Sequence, residues 1–150
     1  MTRNDKRVTG KPSPDAWSIW ARRAIFVCLG LVFLQASAWQ IAGLLVKLGR
    51  ADFAMFGTDA SMVIESMPAF TMGFVAGVFK ALILTVLVLL ALGRKRARTV
   101  LLVAVGLHLM IWVRVAFNPY VPAWPGLVIF TLEMIALVLL SMLSNRRQLR

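Results

Sequence analysis

Four long apolar runs, at residues 24–46, 70–92, 99–117 and 126–144, take up most of the chain, and short polar segments separate them. A helix crosses the hydrocarbon layer of a bilayer with about 20 consecutive apolar residues. All four runs reach that length or come close to it, the third and fourth being the shortest. The pattern predicts an all-α integral membrane protein with four transmembrane helices in an antiparallel bundle. Residues 1–16, "MTRNDKRVTGKPSPDA", are polar and contain Gly and two prolines, which predicts a flexible basic tail ahead of a membrane domain at 17–150.

The connections are as informative as the spans. Residues 51–68, "ADFAMFGTDASMVIESMP", mix Phe53, Met55, Phe56, Met62, Val63 and Met67 with Asp52, Asp59 and Glu65. That mixture is too polar to span and too apolar for a plain linker. It predicts a short amphipathic helix on the outer surface, started by Asp59 or Ser61. Between spans two and three the basic run 94–98 is tight, which makes these spans neighbours. In "NPYVPAWPG" three prolines force an outer turn, since they cannot continue a helix. Trp17 and Trp20 at one end, and Tyr120 and Trp124 at the other, are placed for interfacial belts.

Composition agrees, with 60% hydrophobic residues and a mean hydropathy of +0.81. The net charge of +11 would suggest nucleic acid in a soluble protein, but its distribution points to topology. Apart from Lys47, Arg50, Lys80 and Arg114, every Lys and Arg lies before the first span, between spans two and three, or after the fourth. Alternating spans put all of these on one side, the positive-inside pattern that places both termini in the cytoplasm. The expected location is the cytoplasmic (inner) membrane of a bacterium, and no nucleic-acid partner is expected. Arg22-Arg23, the following apolar stretch and "ASA" at 36–38 also resemble a signal peptide with its cleavage site. The apolar run resumes in "WQIAGLLVKLG", so an uncleaved anchor is the reading adopted.

Candidate chemistry is sparse. Cys28 is the single cysteine, which rules out an internal disulfide and multi-cysteine metal sites. His108 is the single histidine, so one chain cannot supply two histidines to a haem; two copies sharing one haem, or a methionine partner such as Met110 or Met134, are the remaining routes. No nucleophile–base set or phosphate-binding glycine loop is present. No enzyme activity and no cofactor or metal are expected.

Charges within spans are costly and mark interior contacts. With a rise of about 1.5 Å per residue, Lys80 lies roughly 15 Å below the outer surface, Glu133 roughly 10 Å and Arg114 roughly 5 Å. The one acid lies between two bases in depth, so Glu133 is expected to accept from Lys80 and Arg114, with Gln40 extending the cluster. Gly73, Gly77, Lys80 and Leu84 share one face of span two, and the small pair predicts close helix packing there. His108, near mid-membrane, is expected to make an interhelical hydrogen bond. His108 with Glu133 is the only acid–base pair on offer, and their depths allow contact.

Two functions fit these features. One is a non-catalytic accessory or scaffold subunit packing against a larger membrane complex. The other is a homo-oligomeric transporter or channel using the Lys80, Arg114 and Glu133 cluster.

Overall fold

The structure is a computed structural model that describes residues 15–50, 54–55, 58–67, 71–121, 123–146 and 149. Helix α1 (Ala16–Lys47) begins well before the apolar run because Asp15 caps it. The Asp15 carboxylate accepts the Ser18 backbone N–H at 2.9 Å, and the Ser18 hydroxyl donates back to the Asp15 carbonyl at 2.9 Å. Its 32 residues make a rod of about 48 Å, longer than the hydrocarbon layer needs. The turn carrying Trp17 and Trp20 therefore continues the helix and is not a separate segment. At the far end Gly49 takes a φ of 63°, and Arg50 N–H bonds back to the Leu45 carbonyl at 2.9 Å, closing the helix with a left-handed cap.

The connecting segment is more structured than a single surface helix. A two-residue strand β1 (Ala54–Met55) pairs antiparallel with β2 (Thr58–Asp59), and α2 (Ala60–Glu65) follows. Asp59 is the N-cap, accepting from the Ser61 N–H at 2.9 Å and the Ser61 hydroxyl at 2.8 Å. Val63 and Ile64 are buried, and α2 packs on α1. The expected Phe53, Phe56 and Asp52 lie outside the described residues.

The second span opens with a π-helical turn, Thr71–Val75, that runs into α3 (Ala76–Ala91). Gly93, at φ 67°, ends it with the same left-handed cap, Arg94 N–H donating to the Leu89 carbonyl at 2.8 Å. Only Leu92 to Lys95 separate α3 from α4 (Arg96–Ala116). Helix α5 (Trp124–Asn145) has Pro125 in its first turn, where the missing N–H costs nothing.

The four long helices, among the described residues, are each apolar and long enough to cross a membrane. They pack in a ring, α1 against α3 and α5, and α4 against α3 and α5. Each contributes one inward stripe with helical spacing: Ala21, Ile25, Leu29 and Val32 from α1, and Phe79, Ile83, Val86 and Leu90 from α3. Ala97, Leu101, Ala104 and His108 form the stripe of α4. Ile129, Glu133, Ala136, Leu140 and Leu143 form that of α5. At the end where α1 starts and α5 finishes, Arg146 lies 3.5 Å from Asp15 and stacks 4.3 Å over the Trp17 ring.

Candidate functional site

Two polar residues occupy positions in otherwise apolar stripes. His108 follows Ala97, Leu101 and Ala104 along the inner face of α4, and Glu133 lies between Ile129 and Ala136 on α5. Because both face the ring's centre, they meet. His108 Nδ1 lies 2.7 Å from Glu133 Oε2, with Glu133 fully buried and His108 only 6% exposed. The Phe79 ring packs against the imidazole, centroids 5.4 Å apart.

The pair is incompletely satisfied. Glu133 Oε1 is buried and has no hydrogen-bond partner among the described residues. Among the described residues no partner reaches His108 Nε2 either. A half-satisfied polar network inside an apolar core is a costly arrangement. Apolar residues of similar volume in place of such a pair are often neutral or stabilising. Packing alone therefore does not account for its presence.

The expected charge cluster does not form. Among the described residues no ion pair joins Lys80 or Arg114 to Glu133. Lys80 is half-buried, one position round α3 from the inward-facing Phe79. Arg114 is exposed, on the wall of a wide cleft of about 680 Å³ with Ser66, Asn118 and Tyr120. Depth along the helices gave the right layer, but rotation about each helix axis decided which groups met. The glycine face is displaced likewise. A Cβ built on Gly73 or Gly77 would meet nothing within 4 Å, so neither glycine marks a close helix approach. The larger stripe of Phe79, Ile83, Val86 and Leu90 faces the ring instead, because it buries more apolar surface.

The close approach is at Gly126, where a Cβ would run into the Trp112 indole. That indole donates from Nε1 to the Ala123 carbonyl at 3.2 Å, which fixes it beside the start of α5. Gln40 donates to the Gly73 carbonyl at 3.4 Å, joining α1 to the π-helical turn.

Above His108, towards the Tyr120 end, the helices leave a half-open cavity of about 170 Å³. Trp39, Phe79 and Trp112 give it aromatic walls, and Ala36, Ala76 and Ala116 leave it open by being small. His108 and Gln40 are its polar points. The sequence reading missed this cavity. Its one signal is the alternation of alanines with tryptophans in the halves of spans one and three nearer Tyr120, which gains meaning only once the faces are known.

Among the described residues no group of three His, Cys, Asp or Glu is placed to hold a metal ion. Met110 and Met134, considered above as haem partners, are both exposed on the outside of the ring. The molecule is thus a multi-pass helical membrane protein with an acid–imidazole pair at its centre and a small apolar cavity beside it. Comparison with protein-family models, with curated proteins and with solved structures gives no match.

Proposed function

We propose that this is a small protein of a bacterial cytoplasmic membrane that binds and translocates a small uncharged solute, with His108 and Glu133 as its proton-handling centre. In this reading the spans are antiparallel and both termini lie in the cytoplasm, as the placement of the basic residues favours. One four-span copy encloses little room, so translocation would be the work of a homo-oligomer. The reading is supported above all by one coincidence: a buried carboxylate with an unpartnered oxygen, bonded to an imidazole that lines a cavity. An imidazole can take up and release a proton, and a hydrogen-bonded carboxylate gives that proton somewhere to go.

Difference infrared spectroscopy of the purified protein across about pH 5 to 8 tests this. A carboxyl band that changes with pH in the wild type and is missing in Glu133→Gln is the expected result. A spectrum identical in the two proteins would remove the proton-handling role.

A second reading is that of a non-catalytic accessory subunit. It is favoured by apolar side chains left outside the ring, such as Phe117 at 84% exposure and Met110 at 70%. Gentle extraction from the native membrane followed by native mass spectrometry separates the two. A stoichiometric foreign subunit supports the accessory role, and a homo-oligomer supports translocation.

A further inference from the structure

The cavity has a shape and a polarity that together define a ligand. Its volume of about 170 Å³ is close to the roughly 150 Å³ of an apolar protein cavity known to take up benzene. Its aromatic walls, Trp39, Phe79 and Trp112, suit a flat ring. Neither Lys80 nor Arg114 lines it, and the nearest acid, Glu133, is already engaged by His108. The ligand is therefore uncharged.

Its polar end follows from the hydrogen-bond inventory. Trp112 Nε1 is committed to the Ala123 carbonyl, and Gln40 reaches the Gly73 carbonyl. His108 Nε2 has no partner among the described residues, although the residue is more than nine-tenths buried and lines the cavity. In the tautomer in which Nδ1 donates to Glu133 across their 2.7 Å contact, Nε2 is an acceptor that a ligand hydroxyl satisfies.

We propose that the cavity binds a single hydroxylated aromatic ring, its O–H donating to His108 Nε2 and its faces lying against Trp39, Phe79 and Trp112. The proposal rests on the reading of the His108–Glu133 pair as a working site and specifies what that site holds. Glu133 orients the imidazole and fixes its tautomer, so it acts as a positioning residue. The ring has two possible sources, a free phenol or the ring of a tailed quinol carried by the membrane.

The test is calorimetric titration of the full chain in lipid nanodiscs with phenol, benzene and a decyl-tailed hydroquinone, empty nanodiscs correcting for partition into lipid. Phenol should bind roughly tenfold tighter than benzene, the scale of one net hydrogen bond. In His108→Phe combined with Glu133→Leu, which removes the acceptor without leaving a buried charge alone, the two should bind alike. Filling the cavity from either wall, with Ala76→Leu on α3 or Ala36→Leu on α1, should abolish binding of both, and two separate walls guard against one variant failing to fold. Tighter binding of the tailed hydroquinone than of phenol identifies a membrane-borne ring, and equal binding a free one. Equal binding of phenol and benzene by the wild type would overturn the proposal, as would no binding of either. Phenol binding together with a silent Glu133 infrared band would preserve this ligand and remove only the proton role.

Discussion

Glu133 on α5 meets His108 on α4 at 2.7 Å, and it meets neither Lys80 nor Arg114. The two residues sit in equivalent places on adjoining stripes, each replacing an apolar side chain where the ring changes from packed core to cavity. Their energetics follow from burial. A carboxylate without its imidazole would keep the desolvation cost and lose the compensation.

Removing one partner should accordingly hurt more than removing both. His108→Ala is expected to lose about 3–5 kcal/mol of stability, the usual cost of leaving a buried charge alone. His108→Phe combined with Glu133→Leu should recover most of that loss. Denaturant melts of the wild type and the two variants in detergent measure the difference.

Lys80 and Arg114 should be energetically independent of the acid. Groups without shared contacts add within about 0.5 kcal/mol. A double-mutant cycle of Lys80→Met with Glu133→Gln should give a coupling inside that range, and so should one with Arg114→Met. A larger coupling would show that these bases reach Glu133 after all.

The glycines should divide by position. Gly126→Ala drives a methyl into the Trp112 ring and should cost about 1–3 kcal/mol, as overpacked sites do. It should also shift the tryptophan emission, since the bond from Trp112 to the Ala123 carbonyl would be disturbed. Gly77→Ala meets open space inside a helix and should be neutral or stabilising by up to about 1 kcal/mol. Thermal melts and emission spectra of both variants test the contrast.

The α1 cap should respond to acid. The carboxyl of Asp15 is held below its ordinary value of 3.8, first by the Ser18 backbone N–H, then by the Ser18 side chain, with Arg146 adding to the effect. A depressed folded value means that the cap's contribution is fully present above the ordinary value and is lost as pH falls through the depressed one. Asp15→Ala should remove that dependence and speed hydrogen exchange in the first turn of α1, whereas Asp15→Asn should keep the turn closed and lose only the acid sensitivity. Exchange at the Ser18 and Ile19 amides is the direct measure.

The four spans, the cap residue Asp59 and the tight basic loop were legible in the sequence because each depends on local chemistry. An apolar run of sufficient length must lie in lipid. A side chain at a helix start satisfies free N–H groups whatever lies beyond it. The early start of α1 was legible in principle too, since Asp15 and Ser18 sit three apart, but hydropathy marks where lipid begins and takes no account of where a helix does. The site was different. Sequence placed Gln40, Lys80, His108, Arg114 and Glu133 at comparable depths, and depth is a one-dimensional quantity. Which of them meet depends on how each helix is turned about its axis, and one residue is worth 100° of rotation. That turn is set by packing summed over whole stripes, Phe79 to Leu90 on one helix and Ala97 to His108 on the next. The sequence by itself thus determined four membrane-spanning helices and the polar residues they carry. Only the tertiary structure decided that His108 is the partner of Glu133 and that small alanines opposite large rings leave a cavity beside them, because both depend on faces that meet across the ring.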